Sequence, residues 1–183
     1  MKYKFALLIL TFFLGTSVHA GQYGFFGGLN STEFDSDASW DRELGFEGGV
    51  TAHFDIQDKF LLRTGAGFVQ KKSSTQVLGS SIDLEFSYLE VPVTVLYDIN
   101  DSVGLIGGLN FDIKLSDSCG SSVLTSCSVL DAESLVFNLV LGAHIKLSEE
   151  SRIEPLIEIL GLSDVASGTK IGNSLSLRYI YML

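Results

Sequence analysis

The chain has 183 residues, 22 of them acidic against 12 Lys and Arg, for a formal net charge of −10. So acidic a surface excludes nucleic acid as a partner, because a polyanion is bound through clustered Lys and Arg. Mean hydropathy is +0.32 and aromatics reach 11%, more apolar than an ordinary soluble domain, yet after the first 20 residues no apolar run approaches the roughly 20 residues of a membrane-spanning helix.

Residues 1–20 open with Lys2 and Lys4, continue through an apolar run from Phe5 to Leu14, and reach Val18 and Ala20 before Gly21. This is the pattern of a secretory signal peptide, with cleavage expected after Ala20. Removing it takes away two lysines and no acidic residue, so the mature chain, 21–183, carries −12. The whole chain has 19 Gly and 2 Pro, and the remainder reads as one domain without a linker.

Eight strands are expected, with connections that alternate short and long. Strand one is Gln22 to Asn30, followed by the polar loop Ser31 to Arg42. Strand two, Glu43 to Asp55, turns at Gln57 and Asp58 into strand three, Lys59 to Lys72. Strand four, Ile82 to Asp98, turns tightly at Asn100 and Asp101 into strand five, Val103 to Leu115. The longest loop, Ser116 to Asp131, precedes strand six, Leu135 to Leu147. A turn through Ser148 to Ser151 gives strand seven, Arg152 to Asp164, and the loop Val165 to Thr169 gives strand eight, Lys170 to Leu183.

The strand signal is period two. In strand five Val103, Leu105, Leu109, Phe111, Ile113 and Leu115 alternate with positions that include Asn110, Asp112 and Lys114. Strand six repeats it with Leu135, Phe137, Leu139, Leu141, Ala143, Ile145 and Leu147 against Asn138, His144 and Lys146. Strand four changes phase between Tyr88 and Leu89, which predicts a β-bulge there. Strand seven is blurred by Leu160 and Leu162 and loses a ladder donor at Pro155.

Period two alone does not say whether the apolar face points into a soluble barrel or out into lipid; the aromatics decide. With both termini on one side, Tyr23, Phe54, Phe60, Tyr97, Tyr179 and Tyr181 collect at the short-turn end, and Phe68, Phe86, Tyr88, Phe111 and Phe137 at the long-loop end. Two aromatic girdles around an aliphatic band, with short turns on one side and long loops on the other, specify an eight-stranded antiparallel up-and-down transmembrane β-barrel.

The stretch Tyr88-Leu89-Glu90-Val91-Pro92-Val93, just before a tight turn, resembles the Tyr-Leu-Glu-Ile/Val-Pro signature of the bacterial outer-membrane β-barrel family that includes the PorT-like and OmpX-like small barrels. The resemblance implies a location in the bacterial outer membrane and brings no catalytic residues. The last strand, with Leu175, Leu177, Tyr179, Tyr181 and Leu183 alternating to the carboxyl terminus, resembles the signal read by the barrel assembly machinery, although the usual final Phe is Leu183. Outer-membrane lipids and lipopolysaccharide are then the expected surroundings, and a monomer the expected state.

On this phase the lumen face carries charges of both signs. Loop-to-loop counting places Glu90 beside Arg63 and Glu158 beside Arg178, with Glu47 completing a lumen ion-pair network. An eight-stranded barrel is just wide enough for side chains to fill, so these charges are expected to pair and plug it. The alternatives are a narrow channel for small solutes and a lipid-modifying enzyme, the latter using paired carboxylates such as Glu47 and Glu90, or His53 and His144. No HxxxH, CxxC or nucleophile-elbow pattern supports a metal site or serine hydrolase, and no cofactor is expected. The glycine pairs Gly27-Gly28, Gly48-Gly49 and Gly107-Gly108 are expected to make room for neighbouring side chains. Glu33, Asp35, Asp37 and Asp41 around Trp40 read as a solvated acidic loop, with calcium or divalent-bridged lipopolysaccharide as the alternative. The only cysteines, Cys119 and Cys127, fall in the longest loop of an exported chain and are expected to form a disulfide. The reading is a non-enzymatic envelope protein with a structural or surface-interaction role.

Overall fold

Among the described residues the alternation becomes nine antiparallel strands: β1 (Gln22–Asp35), β2 (Asp41–Gln57), β3 (Phe60–Val77), β4 (Ser80–Asp98), β5 (Val103–Ser121), β6 (Leu135–Lys146), β7 (Ser151–Gly161), β8 (Asp164–Ala166) and β9 (Thr169–Met182). The structure, a computed structural model, describes residues 21–35, 41–77, 80–121, 134–161, 164–166 and 169–183. Consecutive strands pair in order from β1 to β7, β7 pairs with β9, and β9 pairs with β1. The sheet therefore closes on itself as an eight-stranded antiparallel barrel, its first and last staves paired. The three-residue β8 is a short addition beside β9. The expected signal peptide, 1–20, lies outside the described residues.

Turns at one end are tight and stitched locally. Asn100 Oδ1 accepts hydrogen bonds from the backbone N–H of Ser102 and Val103, both 2.9 Å, the Asx-turn geometry that makes Asn effective at such a corner. Ser148 Oγ accepts from the N–H of Ser151 at 3.1 Å in the β6–β7 turn.

At the other end all of β1 to β5 run past their expected limits. The apolar alternation stops where the wall leaves the lipid belt, but the backbone ladder continues through polar residues, pairing Ser74 with Asp83 and Glu85 with Ser118. The wall is uneven as a result: β3, β4 and β5 span 18, 19 and 19 residues, whereas β6 and β7 span 12 and 11.

Apolar side chains cover the outside and charged ones lie within, the inverse of a soluble barrel. Tyr23, Phe25, Leu29, Phe46, Leu105, Leu141, Leu177 and Tyr179 are all exposed on the outer wall. At the turn end Phe60 and Tyr97 pack across β3 and β4 with ring centroids 4.9 Å apart; toward the loop end Phe46 meets Phe68 at 5.6 Å and Phe111 meets Phe137 edge-on at 5.3 Å. Such outward aromatic pairs are what the water-lipid boundaries favour.

Three expectations are corrected. β4 does not change phase: Leu84, Phe86, Tyr88, Glu90, Thr94 and Leu96 are all buried on its inner face. The register shift near Tyr88 places the extra residue on β5, where Leu115 falls between the partners Ser116 and Lys114. Phe86 and Tyr88 thus fill the lumen instead of joining the outer girdle, their rings stacked 6.2 Å apart on the inner face of β4. Finally, β7 alternates cleanly from Arg152 to Glu158, with Arg152, Glu154, Leu156 and Glu158 inside, and its register shifts only at Leu160, which falls between the partners Gly161 and Ile159. Pro155 points outward, and the β6–β7 ladder skips the residues between Ile153 and Leu156, where its missing N–H falls.

Candidate functional site: a charged lumen

Inward positions of all eight staves converge on the barrel axis, so residues far apart in sequence meet there. Arg178 of β9 sits at the centre. Its Nε and Nη2 donate to Glu47 at 2.8 and 2.9 Å, and Nη2 also reaches Glu90 at 2.9 and 3.0 Å. The guanidinium lies over the ring of Phe26, 5.0 Å from its centroid. That ring needs space: a Cβ on Gly49 would fall 2.9 Å from it, and one on Gly67 closer still. Gly28 likewise leaves room for Glu47, whose Oε1 would stand 2.9 Å from an added Cβ.

The network continues toward the loops. Asn110 Nδ2 donates to Glu90 and Glu158, both at 2.9 Å. Lys71 Nζ donates to Glu158 at 2.5 Å and to Asp112 at 2.8 Å, and Asn138 Nδ2 donates to Asp112 at 2.7 Å. Toward the turns, Arg63 pairs with Glu154 and donates to Thr94 Oγ1 at 2.9 Å. Arg152 Nη1 lies 3.3 Å from His53 Nδ1. His144 Nε2 stands 3.0 Å from Asp98, close enough for ion pairing but not aligned for a hydrogen bond, and Lys146 holds the other Asp98 oxygen at 2.7 Å.

Glu47, Arg63, Glu90, Glu158 and Arg178 are thus all buried in the lumen, but not in the expected pairs. Arg63 takes Glu154 instead of Glu90, and Arg178 takes Glu47 and Glu90 instead of Glu158, which goes to Lys71. The reason is geometric: ladder neighbours such as Arg63 and Thr94 lie side by side, whereas long side chains in a narrow barrel reach across the axis to opposite staves. Strand-by-strand counting sees only the first kind of neighbour. It placed Asn110 and Asn138 on the polar face but left them out of the network, and it sent Tyr88, which shares parity with Glu90 on its own strand, to the outer girdle.

Apolar patches separate the charges. Leu96, Ile106, Val140 and Leu156 form one, with Leu61 against it; Phe26, Ile180 and Met182 form another. A void beside Arg63 and Arg178, lined also by Phe26, Thr51, Pro92 and Ile180, is too tight for a water molecule. The roomier space, about 570 Å³, is an open vestibule at the turn end, floored by Arg152 and rimmed by Asp101, Lys146 and Glu149.

Of the residues of the catalytic alternative, the carboxylates are engaged and the histidines are buried. Glu47 and Glu90 are bridged by Arg178, and His53 and His144 are buried among Arg152, Lys146 and Asp98. Of the acids expected in the first outer loop, Glu33 lies in β1 and binds Arg42 of β2 at 2.8 Å, while Asp37, like Trp40, lies outside the described residues. Cys119 sits opposite Leu84 near the end of β5; Cys127, its expected partner, lies outside the described residues.

Residues 16–162 match the family described as outer membrane protein beta-barrel domain. No curated protein matches the chain. Among solved structures, it is similar to Ail, the attachment invasion locus protein of Yersinia pestis, at 14% identity and a TM-score of 0.54, covering 89% of this chain and 99% of that one. Ail in complex with the heparin analogue sucrose octasulfate gives 13% identity and a TM-score of 0.53, over 89% and 99% of the two chains. Neisserial surface protein A gives 12% identity and a TM-score of 0.53, over 87% of this chain and 96% of that one.

Proposed function

Because the chain belongs to the outer membrane protein beta-barrel domain family and resides in the bacterial outer membrane, we propose that it acts there as a non-enzymatic envelope barrel whose specific contacts are made by its outer rim. The observation that carries this reading is the lumen itself. Buried side chains from all eight staves cross it and bind one another, which opposes solute passage.

The rim is where chemistry remains available. β3, β4 and β5 rise above β6 and β7, and past the pair Ile113–Leu135 the residues Leu115 to Ser121 of β5 have no β6 partner among the described residues. The side chains here are polar and mostly acidic: Glu43 binds Ser74, Lys72 binds Glu85 and Lys114 binds Asp117. The sequence adds Asp37, Asp131 and Glu133 in the intervening loops. Ail has been crystallised with a polyanion, the heparin analogue; an acidic rim favours the opposite choice, a basic partner or a surface bridged by divalent cations.

The test is binding by nanodisc-embedded barrel to immobilised polylysine and to heparin, across a salt series. Salt-sensitive capture by polylysine alone is expected, lost when Glu43, Glu85 and Asp117 are replaced by Gln, Gln and Asn. Preferential capture by heparin would contradict the reading.

A further inference from the structure

The central network does not balance its charge. Glu47, Glu90, Asp112 and Glu158 are all buried and joined to one another through only two cations, Lys71 and Arg178. The remaining lumen-face cations among the described residues are committed elsewhere, Arg63 to Glu154, Arg152 to the turn-end layer beside His53, Lys146 to Asp98 and Lys114 to Asp117. Nor does the sequence of the outer loops offer relief, since residues 36–40, 78–79, 122–133, 162–163 and 167–168 contain no Lys, Arg or His. Carboxylates thus outnumber cations by two in a space walled by protein and lipid, where an uncompensated charge is costly.

A second observation places the need. Asp112 Oδ1, Asn110 Oδ1, Asn138 Oδ1 and the Tyr88 hydroxyl are buried without a hydrogen-bond partner. All four residues are at most 1% exposed. They belong to one neighbourhood: Asn110 stands opposite Asn138 in the β5–β6 ladder, Asn138 donates to Asp112, and Lys71, which binds Asp112, lies 5.8 Å from the Tyr88 ring. Three of the four atoms can only accept, and the amide nitrogens of both Asn residues already serve carboxylates. Water would satisfy these acceptors but leave the charge. A cation does both.

We propose that the lumen binds a hard metal cation, coordinated by Asp112 Oδ1 with the amide oxygens of Asn110 and Asn138 and the Tyr88 hydroxyl, completed by water. Carboxylate and carboxamide oxygens are the donors such ions take, and a divalent ion would cancel the excess in one step. The site ties β4, β5 and β6 together at the level of Lys71, and its role is to complete the plug.

The experiment uses the full barrel refolded in lipid and stripped with chelator. Unfolding midpoints are compared in Ca²⁺, Mg²⁺ and Na⁺ against N-methylglucamine at equal ionic strength. A higher midpoint in at least one metal salt is expected, abolished by Asp112→Asn and reduced by Tyr88→Phe, which keeps the ring. Crystals soaked in Tl⁺ or Mn²⁺ provide a readout independent of folding, with an anomalous peak expected beside Asp112. Equal midpoints in all cations with no peak would overturn the proposal, as would stabilisation by acid alone, which would assign the missing charge to protons.

Discussion

Replacing Arg178 by Met removes the guanidinium while keeping much of the side-chain length, and it strands Glu47 and Glu90, which are 4% and 0% exposed. Glu90 keeps its bond from Asn110 at 2.9 Å, whereas the bidentate partner of Glu47 is lost. Removing one member of a buried ion pair costs about 3 to 5 kcal/mol, because the other charge stays desolvated. The loss should lie in that range, read by urea unfolding of the barrel in phospholipid vesicles and by the shift in heat-dependent gel mobility. Adding Glu47→Gln removes one stranded charge, so the double variant should be more stable than Arg178→Met alone, with a coupling of about 0.5 to 3 kcal/mol. A loss below about 1 kcal/mol, the value of a solvated surface pair, would refute the reasoning and mean that water reaches the centre of the lumen.

The lipid-facing assignment is checked at Leu141, 43% exposed and opposite Gly107 in the middle of the wall: Leu141→Arg should cost about 2 to 4 kcal/mol in the same unfolding assay, and an unchanged midpoint would remove Leu141 from the lipid face. Gly67→Ala drives a methyl into the Phe26 ring and should cost about 1 to 3 kcal/mol by overpacking, relieved when Phe26 is also shortened to Leu in the same unfolding assay. The proposed Cys119–Cys127 bridge closes a short loop, so its contribution lies at the low end of the usual 2 to 4 kcal/mol or so. Mass spectrometry after alkylation without reductant should find neither thiol labelled in protein taken from the outer membrane, and two labelled thiols would remove the bridge.

Most of the barrel was legible because a lipid-facing wall and a polar lumen impose the same alternation on every stave. The turn at Asn100 and Asp101, the clean strands five and six, and the inward placement of Glu47, Arg63, Glu90, Glu158 and Arg178 all follow from parity alone. Parity failed where the inner face is itself apolar. At Leu84, Phe86 and Tyr88 hydrophobic residues fill the lumen, and a rule that sends apolar side chains to lipid inverted that stretch and invented a phase change. It failed again beyond the belt, where Ser73, Ser74 and Thr75 extend β3 without any hydrophobic signal. The ion pairs were out of reach for a different reason, since Arg178 meets Glu90 across the barrel axis and no spacing along the chain encodes that contact.

The closed lumen is tested most directly by electrical recording of the purified barrel in planar bilayers. The wild type should show little steady conductance, because Arg178, Lys71 and their four carboxylates span the central lumen, and Arg178→Ala should raise it. A large, stable pore in the wild type would contradict the account and favour a channel.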